Sequence, residues 1–401
     1  MIEVGTAQFW RATLALCLGS FMVFSNVYIT QPLLPMLANE FQITPLQASW
    51  SLTVTTLTLG ISLLLFGPIS DAIGRTQLML GSMAGVVLCS FALSQVSSFE
   101  QLVLLRAIQG VCLAGLPAIA IAYMGDEFGR NAVRVAVGLY ISGNTLGGIG
   151  GRLIGGFVGD WLGWQEAFAL MSLISFICLS VFAWMLPVSE NFSPTLLRPK
   201  RVFSDILSHL QNPLLVLAYI IGGLNFFIFI NQYSYATFLL AEAPFNLPAS
   251  LLGMLFLTYL SGTFGSAISG NIAARIPQPL VIALGCLVLM LGTLVTLIPS
   301  LWTIIVGFLI SAFGFFVAHS SASSWVSQNA RHARATASSI YLVFYYLGAS
   351  SGGFYLDPFW HWLGWHGVVV GSLIVLTLTF ILSVGLYLRS RLSLATGQGC
   401  G

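Results

Sequence analysis

Three ionisable side chains lie within long apolar stretches of the sequence: Arg106, Arg152 and His319. A charged side chain among apolar neighbours needs a polar partner or water, because burying an unpaired charge is costly. The imidazole of His319 changes charge near neutral pH, so it can carry a proton or stay a neutral hydrogen-bonding group. Two carboxylates at the ends of apolar stretches, Asp160 and Asp357, are the other candidate proton carriers.

The composition indicates what surrounds these residues. Hydrophobic residues make up 57% of the 401 positions and charged residues only 6%, against about 25% charged residues in a soluble domain. The apolar stretches are continuous and about 20 residues long, the length that a helix needs to cross a bilayer. The sequence therefore predicts an all-α membrane protein, and excludes a soluble domain, a disordered chain and a transmembrane β-barrel.

Twelve apolar windows are the predicted transmembrane helices, which we number as spans one to twelve. They cover 12–34, 46–67, 76–97, 101–124, 134–159, 165–186, 213–240, 249–272, 279–298, 301–325, 335–357 and 366–388. The longest connection divides the chain into a six-helix half (1–190), a central loop (191–212) and a second six-helix half (213–401). All Lys and Arg residues except Arg106 and Arg152 fall on one side. Because basic loops face the cytoplasm, both termini are predicted to be cytoplasmic, at a bacterial inner membrane.

The two halves resemble copies of one repeat. The tetrapeptide Trp161-Leu162-Gly163-Trp164 ends span five, and Trp362-Leu363-Gly364-Trp365 ends span eleven, at an offset of 201 residues. The same offset pairs Tyr140 with Tyr341 and Gly151 with Gly352. Parallel six-helix repeats of this kind place a solute path near the bilayer midplane, at the interface between the halves.

Two short motifs occur in the first half, one in the loop after span two and one in span four. The loop reads Gly67-Pro68-Ile69-Ser70-Asp71-Ala72-Ile73-Gly74-Arg75, which resembles a G-x-x-x-D-x-x-G-R signature. Span four carries Arg106-Ala107-Ile108-Gln109-Gly110, which resembles an R-x-x-Q-G motif. Both resemble motifs of the major facilitator superfamily. The resemblance implies a cytoplasmic latch made by Gly67, Asp71, Gly74 and Arg75, with Asp126 or Glu127 as the partner of Arg75. The sequence departs from the usual pattern at Ala72 and Thr76, and the second-half copy has Ala274 in place of the aspartate.

Span five carries a glycine pattern that resembles the one found in exporters of the superfamily. Its members are Gly138, Gly147, Gly151, Gly155 and Gly156, with Arg152 where the pattern has proline. The resemblance of this glycine pattern implies drug–proton antiport. Together the motifs resemble the YnfM-type branch, which implies export of small molecules. Glycine also recurs at every fourth position, at Gly143, Gly147, Gly151, Gly155 and Gly159, as a ridge without side chains that lets another backbone approach. We expect this ridge to pack against the small residues of span eight, Ser261, Gly265 and Ser269.

Each arginine inside a span has two open interpretations. Arg106 is either a structural residue bonded to Asn26 and Gln31 of span one, or a residue whose bonding changes during coupling. Arg152 either extends toward the membrane surface and pairs with Asp160, or faces a cavity and attracts an anionic group.

Spans one, four, seven and ten line the substrate cavity if the fold follows the superfamily. The predicted substrate-binding residues are Asn26, Tyr28, Gln31, Arg106, Gln109, Asn144, Arg152, Asn225, Asn231 and Gln232. Their amide and aromatic groups suit an amphiphilic or uncharged solute. The expected function is export of small organic molecules by a monomeric proton antiporter in the lipid bilayer, with His319, Asp160 and Asp357 as candidate proton sites. The alternative is proton-coupled uptake of an anionic metabolite. No enzymatic activity, nucleic acid, cofactor or metal is expected.

Overall fold

The computed structural model of the protein describes residues 1–187, 189, 192 and 199–395. Residues 191 and 193–198 of the predicted central loop, including Arg198, lie outside the described residues. The helices, in chain order, are α1 (Ala7–Tyr28), α2 (Leu34–Phe41), α3 (Pro45–Ile73), α4 (Arg75–Leu93), α5 (Phe99–Leu113), α6 (Gly115–Glu127), α7 (Arg130–Trp161), α8 (Trp164–Met185), α9 (Pro199–Leu210), α10 (Pro213–Ala241), α11 (Ala249–Leu255), α12 (Tyr259–Ala273), α13 (Gln278–Val295), α14 (Leu301–Asn329) and α15 (Arg334–Ala395). The predicted all-helical membrane fold is confirmed.

Ten stretches among the described residues are long and apolar enough to cross a membrane. Three of them join two consecutive helices into one pass: Ala7–Phe41, Phe99–Glu127 and Ala249–Ala273. Helix α15 has 62 residues, about 90 Å at 1.5 Å per residue, and therefore holds two passes of a hydrocarbon core about 30 Å thick. The ten stretches therefore make eleven passes. The glycine-rich α7, which is 32 residues long, adds one more, which matches the twelve predicted spans.

Both copies of the Trp-Leu-Gly-Trp repeat form a sharp bend between two spans. Gly163 lies between α7 and α8 with φ +117°, and Gly364 interrupts α15 with φ +55°. Side chains other than glycine disfavour this left-handed region, so the repeated glycine has a backbone reason. The tryptophan after each bend anchors it: Trp164 Nε1 donates to Glu40 Oε2 (2.6 Å), and Trp365 Nε1 donates to Thr296 Oγ1 (3.1 Å).

The glycine ridge of α7 packs against α1. A Cβ added at Gly143 would lie 2.7 Å from the carbonyl oxygen of Cys17, and one at Gly147 would lie 2.5 Å from that of Phe21. Gly151 and Gly155 approach the carbonyl oxygens of Ser25 and Ile29 in the same way, whereas Gly159 approaches the side chain of Leu33, beyond the end of α1. From Gly143 to Gly155, each step of four residues along α7 thus matches a step of four along α1 and its C-cap Ile29. The two backbones touch over this part of the ridge.

This contact corrects the predicted partner of the ridge, which was span eight. The small residues Ser261, Gly265 and Ser269 instead face α14. Ser261 Oγ donates to Leu309 O (2.6 Å), and a Cβ at Gly265 would lie 2.8 Å from Phe313 O. Ser269 Oγ lies 3.0 Å from Ser320 Oγ. The prediction failed because a four-residue spacing identifies a smooth helix face but not the helix that covers it.

The chain forms two compact units whose boundary differs from the predicted halves. The first unit contains Met1–Arg198 and Asn246–Phe256, and the second contains Pro199–Phe245 and Leu257–Gly401. Helix α11 therefore groups with α7, where a Cβ at Gly253 would lie 2.7 Å from the carbonyl oxygen of Arg152. Ser250 Oγ also donates to Asp160 Oδ2 (2.6 Å). A short 3-10 segment, Phe256–Thr258, separates α11 from α12.

In the second unit, α9 is fixed by two histidines. His209 is only 2% exposed, and its ring stacks on His332 with 4.9 Å between the centroids. Ser208 Oγ lies 2.9 Å from His332 Nε2. Burial and then the neighbouring His332 lower the pKa of His209, although Asp205 on its own helix opposes the shift. The basic residues Arg331 and Arg334 flank His332 in the chain.

We expect the docking of α9 to weaken as the pH falls. A released His209 would titrate near its ordinary pKa of about 6.5 and take up a proton that the docked ring resists. The docked state is therefore favoured above about pH 6.5 and progressively lost below it. Hydrogen exchange of the α9 amides, corrected for the intrinsic rate, should be faster at pH 5.5 than at pH 7.5. The variant His209→Leu should lose this difference, and equal protection at both pH values in the unmodified protein would contradict the prediction.

Candidate functional site

Arg106 caps the end of α1 from the middle of span four. Its side chain is 0% exposed, and Nη1 and Nη2 donate to the carbonyl oxygens of Asn26 and Val27, at 2.8 Å each. Helix α1 ends at Tyr28, so these two carbonyls belong to its last turn and have no partner within the helix. Arg106 Nε also donates to Ser51 O (2.9 Å) on α3. The arginine is therefore stabilised by carbonyl oxygens and by the negative end of the helix dipole.

A buried polar network extends from Arg106 to α4 and α8. Arg106 Nη1 donates to Gln109 Oε1 (2.5 Å), and Gln109 Nε2 donates to Ser90 Oγ (2.8 Å). Ser90 Oγ donates to Asn26 Oδ1 (2.7 Å), while Asn26 Nδ2 donates to Ser175 Oγ (2.8 Å). Each of these groups has a partner, as buried polar groups require. The network joins α1, α4, α5 and α8.

These contacts fit the first interpretation, in which Arg106 is a structural residue that bonds to Asn26. Substrate contact by Asn26, Arg106 and Gln109 stays a prediction. Ser90 and Ser175 were missed because small hydroxyl side chains leave the apolar pattern of a span almost unchanged.

Arg152 lies between two aromatic rings at the break between α1 and α2. The guanidinium carbon is 4.1 Å from the ring centre of Tyr28 and 4.4 Å from that of Phe256. Nε donates to Gln31 Oε1 (2.9 Å), and Nη1 donates to Gly148 O (2.8 Å) on its own helix. Cation–π contacts of this kind strengthen when both partners leave water, and Arg152 is 1% exposed.

The neighbours of Arg152 are relevant to both predicted alternatives, which are pairing with Asp160 and attraction of an anionic group. Its side chain is held at the level of Gln31, while Asp160, its predicted partner near the membrane surface, accepts a hydrogen bond from Ser250. Tyr28, Gln31 and Arg152, three of the predicted substrate-binding residues, do come together. Phe256 was not predicted, because one phenylalanine in an apolar span gives no signal of its neighbours. Anion attraction by Arg152 stays a prediction.

The predicted amides of α7 and α10 mostly bond to neighbouring helices. Asn144 accepts from Ser20 Oγ on α1. Asn231 Nδ2 donates to Ala349 O (2.9 Å) on α15, and Gln232 Nε2 donates to Thr293 Oγ1 (3.1 Å) on α13. Asn225 differs: Oδ1 accepts from Cys286 Sγ (3.4 Å), but the buried Nδ2 has no hydrogen-bond partner within the described part of the chain. Among the described residues, Asn225 is therefore a buried amide whose donor is available to water or a solute.

His319 is held by three helices of the second unit. Its Nδ1 lies 2.9 Å from the hydroxyl of Tyr341 on α15. The ring is parallel to that of Phe315, with 5.8 Å between centroids, and lies 4.6 Å from Tyr345. Gly222 on α10 provides the space for Tyr341, because a Cβ there would lie 2.7 Å from the tyrosine Cζ. The imidazole thus has a fixed orientation and one defined hydrogen-bond partner.

An aromatic cluster continues from His319 along α10 and α14. Phe226 stacks on Tyr345 and Phe229 on Phe315, each with 3.8 Å between centroids. Phe227, predicted to join the same aromatic wall, contacts Tyr355 instead (5.4 Å). Aromatic pairs of this geometry contribute beyond the area that they bury. The side chains that surround His319 are therefore rigid, polarisable aromatic rings.

The two carboxylates predicted as alternative proton sites each accept from a hydroxyl group. Asp160 lies at the end of α7, whereas Asp357, which was predicted at a helix end, lies within α15 before the bend at Gly364. Asp160 accepts from Ser250. Asp357 Oδ1 accepts from Tyr235 Oη (3.2 Å), and its other oxygen lies 3.6 Å from His361 Nε2. Within the second unit, the described contacts do not bring Asp357 next to His319.

The predicted latch residues come together at the start of α4. Arg75 Nη1 lies 2.9 Å from Asp71 Oδ1, and Arg75 Nε donates to Asp126 Oδ2. Of the two predicted partners of Arg75, the structure places Asp126 there, while Glu127 accepts from Ser189. Gly74 has φ +112°, a conformation that favours glycine. Gly67 has open space around it.

We expect Arg75→Gln to reduce transport much more than stability. Partly exposed ion pairs contribute only about 0–1 kcal/mol each, so the melting temperature in detergent should change little. Transport should fall by more than half if the pair holds one conformational state. Arg275→Gln is the matched control, because Arg275 follows Ala274 in the second-half copy of the motif. Unchanged transport in Arg75→Gln would contradict the latch interpretation.

Comparisons with known proteins agree with this architecture. Residues 16–353 match the Major Facilitator Superfamily. The chain is 40% identical over 391 residues to "Inner membrane transport protein YnfM" of Escherichia coli (strain K12), covering 98% of this chain and 93% of that protein. It is 28% identical over 230 residues to "Multidrug resistance protein MdtG" of Klebsiella pneumoniae (strain 342), covering 56% of this chain and 55% of that protein.

The fold also resembles solved structures. A bacterial homologue of the human lysosomal transporter Spinster, in an inward-facing and unoccupied conformation, has a TM-score of 0.78 at 16% identity, covering 96% of this chain and 98% of that one. The relatives are transporters rather than enzymes. The likeness and the membrane-length helices make this chain a multi-pass inner-membrane protein that transports small molecules by secondary transport. The chain belongs to the major facilitator superfamily.

Proposed function

We propose that the protein exports small organic molecules across the inner membrane by alternating access, in exchange for protons that move inward. The observation that carries this proposal is the glycine pattern of α7. Gly147, Gly151 and Gly155 approach the backbone of α1, and Gly156 approaches that of α11. The pattern typical of exporters therefore has a physical use here, since each of these glycines is where a side chain would collide. The partial likeness to a multidrug resistance protein supports the same direction of transport.

His319 is the proposed proton carrier. It carries an imidazole, the side chain whose ordinary pKa lies near neutral pH, and it lies in the interior of a predicted span. Its hydrogen bond to Tyr341 orients the ring, and the aromatic walls of Phe315 and Tyr345 leave it few other partners. Asp160 and Asp357 remain the alternative proton sites, because within the described part of the chain Asp160 accepts from a serine hydroxyl and Asp357 from a tyrosine hydroxyl, with His361 nearby.

The proposed solute is amphiphilic or uncharged. The aromatic cluster around His319 offers flat apolar contact, and Asn225 offers an amide donor with no protein partner among the described residues. Tyr28 and Gln31 add an aromatic ring and an amide in the first unit. We further propose that the transporter works as a monomer with both termini in the cytoplasm, as the distribution of basic residues indicates.

Accumulation in cells tests the direction of transport. Cells that express the protein should accumulate less of at least one amphiphilic compound than cells without it, and an uncoupler should restore accumulation. A panel of cationic, neutral and anionic dyes covers the chemistry that the residues suggest. No difference for any compound, with the protein present in the membrane, would argue against export.

The variant His319→Gln tests the proton carrier. Glutamine keeps hydrogen-bonding capacity but does not titrate, so gradient-driven export should fall at least tenfold. Exchange of labelled for unlabelled solute without a gradient should persist, because it needs no net proton transfer. Asp160→Asn and Asp357→Asn are the matched comparisons. If either of them abolishes gradient-driven export while His319→Gln does not, the carrier is that carboxylate.

Uptake of an anionic metabolite is the second candidate function. The observation in its favour is that Arg152 lies beside Gln31 and Tyr28, two other predicted substrate-binding residues. It predicts saturable uptake of an organic anion that is lost in Arg152→Ala and partly kept in Arg152→Lys. Uptake that is unaffected by Arg152→Ala would show that this arginine does not recognise the anion.

A further inference from the structure

Helix α9 presents an apolar face that the rest of the chain leaves uncovered. Phe203 is 67% exposed, Leu207 44% and Leu210 40%. Their spacing of four and three residues puts the three side chains on one side of the helix. Lys200, in the first turn, is exposed as well, and Arg201 follows it in the chain. An apolar stripe with basic residues beside it is typical of helices that lie in a membrane surface.

The opposite side of α9 is fixed, so the helix cannot turn its apolar face inward. His209 is buried under His332, and Ser208 is hydrogen-bonded to the same ring. At 100° per residue, His209 points about 120° away from Phe203. The exposure of Phe203, Leu207 and Leu210 is thus a consequence of the contact that holds the helix in place.

The position of α9 in the chain brings the apolar face to the bilayer. Only Gln211 and Asn212 separate Leu210 from Pro213, the first residue of α10. Asn212 caps α10, its Oδ1 accepting from Leu214 N at 3.1 Å. Because α10 spans the membrane and two residues reach roughly 10 Å at most, the end of α9 lies at the level of the lipid headgroups. The headgroup layer on each side of the hydrocarbon core is several ångströms thick.

We propose that α9 is an interfacial helix: Phe203, Leu207 and Leu210 insert into the bilayer surface from which α10 starts, and Lys200 binds the phosphates of anionic lipids. The occupant of the apolar face is lipid, because α9 ends two residues before the membrane-spanning α10 and therefore lies at the level of the headgroups. The helix would then anchor the second unit at the membrane surface through the histidine contact. This proposal does not depend on the direction or coupling of transport.

Spin-label accessibility tests the apolar face. The full-length protein, with its six native cysteines replaced, is labelled at Phe203→Cys or at the control Ser204→Cys, an exposed residue about 100° around the helix. In vesicles of phosphatidylglycerol and phosphatidylethanolamine, the ratio of oxygen to nickel-chelate collisions should be at least threefold higher at position 203. Equal ratios at the two positions would overturn the proposal. A label at 203 that is shielded from both reagents would overturn it too, since a protein would then cover the face.

The headgroup contact has a separate measurement. The ratio at position 203 should fall at least twofold when phosphatidylcholine replaces the anionic lipid. The substitution Lys200→Gln should produce the same fall in the anionic vesicles and no further change in phosphatidylcholine. A ratio that is unaffected by both lipid charge and the substitution would overturn the assignment of Lys200 to lipid phosphates.

Discussion

Replacing Gly151 with alanine is expected to destabilise the protein by about 1–3 kcal/mol, the usual cost of overpacking a tight contact. The new Cβ would lie 2.5 Å from the Cα and 2.7 Å from the carbonyl carbon of Ser25. Backbone atoms cannot rotate away as a side chain can, so α1 and α7 would have to separate. Thermal unfolding in detergent and the yield of folded protein measure the effect.

Gly138→Ala is the matched control for this substitution. Gly138 belongs to the same helix and the same exporter-like pattern, but a Cβ there would meet no atom within 4 Å. Both substitutions gain the same helix propensity from alanine. The difference between the two variants therefore reports the contact with α1. Equal melting temperatures for Gly151→Ala and Gly138→Ala would show that the two helices do not touch at this ridge.

Removing the guanidinium of Arg106 is expected to cost still more. In Arg106→Met the carbonyl groups of Asn26 and Val27 and the side-chain oxygen of Gln109 lose their donor, and each unsatisfied buried group costs about 1–3 kcal/mol. Several kilocalories per mole are a large share of the stability of most proteins. We expect little folded protein after purification, and a strongly lowered melting temperature for what remains.

Two comparisons separate this effect from the loss of a charge alone. Arg106→Lys keeps the charge and three donors, so it should recover part of the stability. Arg11→Gln removes an exposed arginine that donates to Trp184 O (3.2 Å) and should change stability little. If Arg106→Met melted like the unmodified protein, the polar network would not be what holds α1 to α5.

The fold could be predicted from the sequence because membrane spans follow from length and apolarity alone. The repeated Trp-Leu-Gly-Trp also indicated a shared local structure, and both glycines adopt a positive φ. Similarly, the interpretation of Arg106 as a residue bonded to Asn26 followed from the cost of an unpaired charge. These inferences depend on local properties of the chain, which a sequence contains directly.

Properties that depend on which helices are neighbours could not be predicted. The glycine ridge of α7 was correctly identified as smooth, but α1 rather than span eight covers it. Arg152 was expected to meet a carboxylate or a solute, and its neighbours include Tyr28 and Phe256, which are more than 100 residues distant in the chain. A spacing pattern specifies a face, whereas the partner of that face is set by tertiary packing. The grouping of α11 with the first unit has the same origin.

Proton-coupled export is tested most directly in everted membrane vesicles that hold an acidic interior, monitored by a pH-sensitive dye. Everted vesicles reverse the orientation of the inner membrane, so an exported solute should move inward as protons leave. The proposal predicts that at least one amphiphilic compound collapses the pH gradient in vesicles that contain the protein, and that the same vesicles with His319→Gln keep their gradient. Accumulation of that compound inside the vesicles, with no effect on the pH gradient, would contradict proton exchange as the driving reaction.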